Sequence, residues 1–304
     1  MGDRAPVGIV GVGLLGSAVA GVLLQAGYEV VGYDVLPEKV AALAAQGGKR
    51  AGSAAEVARR AGVVFTILPT LPSVEEALTG PEGVLEGGGT DTTIIQMSTI
   101  SPDLATRMEG AARAQGAAFL DAPVSGTSSM VARRESVVTV GGDRAAFERC
   151  LPVLEALAKR VFHVGACGMG SHLKLVTNLV MGLNGAVLAE GLTLARRAGL
   201  DLAQTLEILG QGAAASKMLE VRGPLMLEGR FAPLMKIDLF LKDIRLILED
   251  AQELHVPLPL TGMMQQLYTA AVSGGQGTQD LSGIIRVYEA LAGLPARGSG
   301  GSAG

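Results

Sequence analysis

The sequence is poor in aromatic side chains and in cysteine. It contains no tryptophan, and aromatic residues make up 3% of its 304 residues, so we expect a core built mainly from Ala, Val, Leu and Ile. The two cysteines, Cys150 and Cys167, are too few for a disulfide framework and lack the spacing of metal ligands. Since no constellation of His, Cys, Asp and Glu stands out either, we predict no metal.

The chain has no strong excess of one charge, with 25 Lys and Arg against 29 Asp and Glu, and it has few long uncharged apolar runs. The net charge of −4 argues against a nucleic-acid-binding surface. No apolar run predicts a membrane span, and the chain enters its first strand too early for a signal peptide. We therefore expect a cytoplasmic protein with no membrane partner. Residues 294–304 are rich in Gly, Ser and Ala, and we expect them to form a disordered tail.

Glycine, in contrast, is abundant, and its placement near the start of the chain is the most informative feature. An apolar strand runs directly into Gly-x-Gly-x-x-Gly, and a helical pattern follows. In such a motif the first glycine permits a tight turn, the second lets a pyrophosphate approach the backbone, and the third lets the helix pack on the strand. The helix start then favours the anion. The predicted cofactor contacts here are Gly11, Gly13, Leu14, Leu15 and Gly16.

An acidic residue at the end of the next predicted strand supports a dinucleotide site. Asp34 lies about 20 residues beyond the glycines, where a carboxylate accepts hydrogen bonds from a ribose. The same carboxylate would repel a 2′-phosphate, and the residues that follow are Val35, Leu36 and Pro37, with no arginine. The sequence therefore favours NAD over NADP.

The two halves of the chain have different periodicities. Strand-like and helix-like segments alternate in the first half, which predicts an α/β fold with a doubly wound, mostly parallel sheet. After Gly170 the pattern is helical throughout and begins with one long helix, apolar around much of its circumference, that we expect to be buried on several sides. We predict a dinucleotide-binding domain at 1–165 and an all-helical domain for substrate and dimerisation at 166–293. Since a small domain alone cannot bury that helix, we expect a homodimer or homotetramer.

Four motifs in this order resemble the β-hydroxyacid dehydrogenase family, which includes 3-hydroxyisobutyrate dehydrogenase and tartronate semialdehyde reductase. They lie at 11–16, at 121–126 (Asp-Ala-Pro-Val-Ser-Gly), at 168–174 together with Asn178, and at 242–243. The resemblance covers the whole chain except the tail. It implies a Rossmann domain joined by a long helix to an all-α domain, with the active site between them. It also implies NAD(P)-dependent interconversion of a short-chain hydroxy acid and its semialdehyde.

The resemblance also implies the roles of individual residues. Lys174 would be the general acid/base, because reduction of a carbonyl needs a proton donor at the oxygen and an ammonium also stabilises charge there. Asn178, four residues further on, would hold the substrate oxygen or orient the lysine. The remaining predicted substrate contacts are Ser125, Gly126, Thr127 and Lys242. The remaining predicted cofactor contacts are Leu68, Pro69, Thr99, Lys242 and Asp243, and Asp243 would also pair with Lys242 or with backbone at the domain junction.

This chain departs from the family pattern in places, and other functions stay open. Thr127-Ser128-Ser129 replaces a glycine-rich continuation, which would either alter specificity or only stiffen the loop, and Thr177 stands where relatives often carry asparagine. Phe240 and Met235 would either wall the substrate cleft or belong to the core. The alternatives are an imine reductase on the same fold, which Lys174 disfavours, and a non-catalytic dinucleotide-binding module. The sequence does not identify the hydroxy acid.

Overall fold

The computed structural model describes residues 5–295. The chain divides into two compact units, one ending at Lys174 and the other beginning at Leu175. The predicted tail lies outside the described residues from position 296 onward.

The first unit contains the sheet. Its strands are β1 (Val7–Val10), β2 (Val30–Tyr33), β3 (Lys49–Arg50), β4 (Val63–Thr66), β5 (Thr93–Gln96), β6 (Ala118–Asp121), β7 (Val124–Ser125), β8 (Val137–Gly142) and β9 (Arg160–Gly165). They are ordered β3-β2-β1-β4-β5-β6-β8-β7, with β9 paired to β8. Strands β1 to β6 are parallel, whereas β8 runs antiparallel to both β6 and β7. The predicted α/β class with a mostly parallel sheet is confirmed.

Helices cover both faces of this sheet. They are α1 (Leu14–Gln25), α2 (Pro37–Ala45), α3 (Ala54–Arg60), α4 (Leu71–Thr79), α5 (Val84–Gly87), α6 (Pro102–Ala114), α7 (Ser128–Ala132) and α8 (Arg144–Leu157). Successive strand residues point to opposite faces, so Ile95 and Leu120 join one apolar cluster while Ile94 and Phe119 join the other. Both faces of the sheet are therefore apolar, and polar side chains such as those of Gln96 and Asp121 lie where the strands end.

The second unit is helical. The long helix α9 (Met169–Arg197) begins in the first unit and continues into the second. It is followed by α10 (Leu202–Gln211), α11 (Lys217–Glu228), α12 (Ile237–Glu253), α13 (Pro259–Ser273), a 3-10 turn (Leu281–Ile284) and α14 (Ile285–Leu291). Phe240 lies in the core of this unit, fully buried, with its ring 5.2 Å from that of Tyr268. Met235 packs against the same core. The structure therefore gives both side chains a packing role.

Helix α9 differs from its sequence-based prediction in two respects. It is long and apolar enough, by length and composition alone, to cross a membrane, whereas the sequence predicted no such span. Of its most apolar 18-residue window, 44% is buried inside the protein, and a single helix of this kind is weak evidence for a membrane span. The expected burial on several sides is incomplete, because one stripe stays exposed in the single chain. The members of this α9 stripe are Val176, Val180, Val187 and Leu194.

Both cysteines lie in the first unit as free thiols. Cys150 is buried, and burial raises the pKa of its thiol. Cys167 is half-buried, and burial followed by the negative charge of Asp121 raises the pKa of its thiol strongly. Both side chains are therefore protonated at neutral pH.

Candidate active site

The three glycines of the first motif occupy three different environments. A Cβ on Gly11, whose φ is +94°, would lie 2.2 Å from the carbonyl oxygen of Ile67. A Cβ on Gly16 would lie 2.0 Å from the carbonyl oxygen of Gly11. A Cβ on Gly13, at the start of α1, would meet no heavy atom of residues 5–295 within 4 Å. Gly11 and Gly16 are thus required by the fold, whereas the space beside Gly13 is open to a ligand.

The carboxylate of Asp34 is hydrogen-bonded directly to the backbone of the glycine loop. Its Oδ2 accepts a hydrogen bond from the backbone N–H of Val12 at 2.7 Å, and its Oδ1 accepts one from Leu36 at 3.0 Å. The backbone N–H of Gly11 donates to the carbonyl of Tyr33, the residue before Asp34, at 2.9 Å. The carboxylate is therefore held beside the glycine turn, as a ribose-binding acid requires.

A buried polar network joins the loops that follow β4 and β5. The side-chain oxygen Oε1 of Gln96 accepts from the backbone N–H of Ser98 at 2.9 Å and from Oγ1 of Thr66 at 3.1 Å. Oγ of Ser98 in turn accepts from the backbone N–H of Leu68 at 2.8 Å. The network fixes the two loops that carry the predicted cofactor contacts Leu68, Pro69 and Thr99. Sequence reasoning missed Thr66 and Gln96, although each is a polar residue that directly follows two apolar residues at the end of a strand.

Asp121, at the end of β6, holds the beginning of α9. Its Oδ1 accepts from Oγ of Ser171 and its Oδ2 from the backbone N–H of Ser171, both at 2.7 Å, and the side chain is fully buried. Burial raises the pKa of Asp121, while the Ser171 bonds and the backbone N–H of Gly168 act in the opposite direction. Asp121 belongs to the second motif and Ser171 to the third, so this carboxylate connects them. No pattern in the sequence indicates this contact between residues 50 positions apart.

The predicted substrate loop follows β7. Ser125 is half-buried, and Gly126 is exposed with a φ of +148°. Thr127 caps α7, because its Oγ1 accepts from the backbone N–H of Met130 at 3.3 Å, and it also bonds Oγ of Ser129 at 2.8 Å. Two of the hydroxyls that depart from the family pattern, those of Thr127 and Ser129, are thus engaged within the loop.

Lys174 and Asn178 lie one turn apart on α9. Lys174 is half-buried, and Asn178 is buried with 2% of its surface exposed. Within the second unit, Nδ2 of Asn178 donates to Oδ2 of Asp243 at 2.8 Å, and Nζ of Lys242 lies 3.0 Å from Oδ1 of Asp243. Three of the predicted site residues, from α9 and α12, are therefore in direct contact. No group of three or more His, Cys, Asp or Glu side chains in residues 5–295 is arranged to hold a metal ion.

Comparison with known proteins agrees with this geometry. Residues 6–165 match the family model described as the NAD-binding domain of 6-phosphogluconate dehydrogenase, and residues 168–288 match that described as NAD-binding of NADP-dependent 3-hydroxyisobutyrate dehydrogenase. The chain is 36% identical to 2-(hydroxymethyl)glutarate dehydrogenase of Eubacterium barkeri, over 96% of this chain and 97% of that protein. It is 32% identical to 3-sulfolactaldehyde reductase of Escherichia coli K12, over 96% and 99%.

A solved structure shows the same fold over nearly the whole length. The crystal structure of 3-hydroxyisobutyrate dehydrogenase from Salmonella typhimurium superposes with a TM-score of 0.86 at 33% identity, covering 93% of this chain and all of that one. Two family-model matches that together span residues 6–288, with relatives that are dehydrogenases and reductases, place the chain among the nicotinamide-dinucleotide-dependent oxidoreductases. The chain belongs to the β-hydroxyacid dehydrogenase family and interconverts a hydroxy acid and its carbonyl form with NAD(P).

Proposed function

We propose that this protein is an NAD-dependent dehydrogenase of a short-chain hydroxy acid, with Lys174 as the general acid/base. The observation that carries this proposal is the placement of a half-buried lysine on α9 one turn before the buried Asn178, whose amide is held by Asp243. A cation near the start of a helix opposes the helix dipole and has little structural value there. A role in chemistry accounts for its position.

The proposed chemistry is a hydride transfer coupled to a proton transfer. The cofactor, when bound, supplies or accepts the hydride at the carbinol carbon. In reduction the Nζ–H of Lys174 gives its proton to the carbonyl oxygen as negative charge develops there, which leaves a neutral amine and an alcohol. In oxidation the neutral amine of Lys174 takes the hydroxyl proton. Asn178 orients the groups that exchange this proton.

We propose that the substrate carries an anionic group bound at the loop after β7. Oγ of Ser125 and the backbone N–H of Gly126 are donors of the kind that bind carboxylates, whereas Oγ1 of Thr127 is engaged in capping α7. The named substrates of the relatives support this, because hydroxymethylglutarate and sulfolactaldehyde are both acids. Lys242 would add positive charge to the substrate side.

The preference for NAD rests on Asp34. Its carboxylate lies at the glycine loop, and the residues after it, Val35 and Leu36, are exposed and apolar, so nothing in this turn receives a 2′-phosphate. We further propose that the enzyme works in the cytoplasm as a homo-oligomer. The exposed α9 stripe supports the second part of that proposal.

The test is turnover by the wild type and by Lys174→Ala. We expect NADH, used more efficiently than NADPH, to reduce at least one aldehyde from a panel of short carboxylated and sulfonated aldehydes. Loss of the acid/base group should lower kcat by about 10²–10⁴-fold. Lys159→Ala, an exposed lysine of the first unit, is the matched control and should retain full activity. Binding of NADH without turnover on any substrate would instead support a non-catalytic binding module, and turnover of imines alone would support an imine reductase.

A further inference from the structure

The group formed by Asn178, Lys242 and Asp243 points to a role for Asp243 that differs from contact with the cofactor. Asn178 and Asp243 are each 2% exposed, and their bond of 2.8 Å is buried. The second carboxylate oxygen lies 3.0 Å from Nζ of Lys242, whose side chain is 25% exposed. The Asp243 carboxylate therefore accepts a hydrogen bond from the Asn178 amide through Oδ2 and forms an ion pair with Lys242 through Oδ1.

The chemistry of the two side chains fixes the orientation of the amide. An ionised carboxylate only accepts hydrogen bonds, whereas an asparagine amide has a donor branch, Nδ2, and an acceptor branch, Oδ1. Asn178 must therefore present Nδ2 to Asp243. As a consequence its Oδ1 lies on the opposite branch of the amide.

This orientation matters because of the position of Asn178 on α9. An acceptor one turn from Lys174 suits an ammonium or an alcohol, both of which donate, and does not suit a carbonyl oxygen. A flipped amide would present a donor there instead. Resting on the function proposed above, we propose that Asp243 is a positioning residue: it selects the Oδ1 face of Asn178 for the proton-transfer step, and does not bind the cofactor.

Three alternative roles for Asp243 predict different results. If Asp243 contacts the cofactor, replacing it weakens NADH binding. If its bond to Asn178 only joins α9 to α12, loss of the bond lowers stability and leaves turnover by the folded enzyme unchanged. If Asp243 acts through Lys242, its replacement lowers activity by an amount that does not depend on residue 178.

The test is a double-mutant cycle in the full-length enzyme. The variants are Asp243→Asn, which keeps the size of the side chain, Asn178→Ala, and the double variant. Asp250→Asn, with the same charge change two turns later on α12, is the control and should keep wild-type kinetics. The readouts are NADH affinity by fluorescence, kcat and KM for the aldehyde, and the thermal unfolding midpoint.

We expect Asp243→Asn to lower kcat by about 10- to 100-fold, the cost of a misplaced group near the reacting atoms, with NADH affinity unchanged. In the Asn178→Ala background the same replacement should cost no further activity, since Asp243 acts through the amide. The unfolding midpoints should also be non-additive, because both single variants break the same bond.

Equal losses of kcat in both backgrounds, or a weakened affinity for NADH, would overturn the proposal. Additive unfolding midpoints would overturn it as well, because they would show that the two side chains do not interact. If the wild type turned over no aldehyde, the proposed function would fail together with the catalytic role of Asp243. The unfolding cycle would still decide, without any activity, whether the bond between positions 178 and 243 exists.

Discussion

At the scale of single residues, the three glycines of the first motif occupy positions that favour glycine for different physical reasons. The backbone conformation of Gly11 and the close approach of Gly16 to the carbonyl of Gly11 leave no room for a Cβ. At Gly13, where φ is −72°, the backbone conformation suits any residue and the space around it is open. We propose that glycine is needed there because a bound pyrophosphate passes over the backbone.

Because of this difference, we expect substitutions at Gly13 and Gly16 to affect different properties, NADH binding at Gly13 and stability at Gly16. We expect Gly13→Ala to leave the thermal unfolding midpoint within about 1 °C and to weaken NADH binding at least tenfold. Gly16→Ala should lower the free energy of unfolding by about 1–3 kcal/mol, because the added methyl overpacks the contact between α1 and the loop after β1. Thermal unfolding and fluorescence titration with NADH measure the two effects. A large loss of stability in Gly13→Ala, with NADH affinity retained, would contradict these separate roles of the two glycines.

Residue roles were predictable from the sequence only where a motif or a resemblance carried them. Asp34 could be placed from its distance to the glycines. Gln96 and Asp121 could not, because their partners lie on other strands or 50 positions away, and a single buried polar residue in an apolar strand does not reveal which loop it holds. Asp243 was expected near the cofactor or paired with Lys242, and the structure shows the pairing with Lys242. Its contact with Asn178 emerges only once α9 and α12 are packed together.

At the scale of elements, one carboxylate determines how the chain enters α12. Oδ1 of Asp280 accepts from Nε of Arg222 at 3.0 Å and from Oγ of Ser282 at 2.9 Å, and Oδ2 accepts from the backbone N–H groups of Leu234 and Met235, both at 3.0 Å. Asp280 is fully buried and Arg222 is 6% exposed. The segment before α12, and with it the helix that carries Lys242 and Asp243, is fastened to this ion pair.

The ion pair predicts a pH dependence of stability. Burial raises the pKa of Asp280, but Arg222 and the hydrogen bonds from Ser282 and Met235 outweigh burial and hold that pKa below its ordinary value. The native state thus binds this proton more weakly than the unfolded chain, so the stabilisation is complete above about pH 4–5 and is lost as the pH falls further.

Replacing the carboxylate should remove that dependence. Asp280→Asn leaves Arg222 buried without a counter-charge, and we expect it to cost about 3–5 kcal/mol at pH 7. The difference from the wild type should narrow below about pH 4. Urea unfolding at pH 7 and at pH 3 measures it. Asp103→Asn, at an exposed position on α6, serves as the control and should change the free energy of unfolding little at either pH. A constant difference across this range would show that Asp280 is not the titrating group.

Elements themselves were predictable where periodicity was clean. Apart from the two-residue strands β3 and β7, the sheet strands follow from apolar runs in the sequence, and helices α9, α10, α12 and α13 follow from apolar spacing. Apolar spacing does not indicate helix α11, although the pattern after Gly170 is helical as a whole. Gly223 and Pro224 lie inside α11, and both normally interrupt a helix. Tertiary packing overrides these propensities: Met218 and Leu219 at the start of α11 are buried, and Met226 near its end is fully buried.

At the scale of the whole molecule, the α9 stripe is an apolar surface that a single chain leaves in water. Its four members recur at intervals of four and seven residues and so lie on one side of the helix. Between 51% and 72% of each side chain is exposed. An aligned apolar surface of this kind is typical of an interface with another protein. The sequence predicted association from the apolar character of α9, and the structure now indicates which face would be used.

A charge placed in this stripe should oppose self-association. We predict that the wild type sediments as an oligomer and that Val187→Glu shifts it toward the monomer at micromolar concentration, because an unpaired carboxylate would be buried in the interface. Val35→Glu, at another exposed apolar position, is the control and should not change the sedimentation coefficient. A monomeric wild type would rule out this use of the stripe.

The two protonated thiols have a practical consequence for work with this enzyme. Alkylating reagents attack the thiolate, and neither Cys150 nor Cys167 supplies much of it near neutral pH. A cysteine introduced at an exposed position such as Lys159 would therefore react with a maleimide dye well before the native ones. Site-specific fluorescent labels can be attached without first removing the natural cysteines.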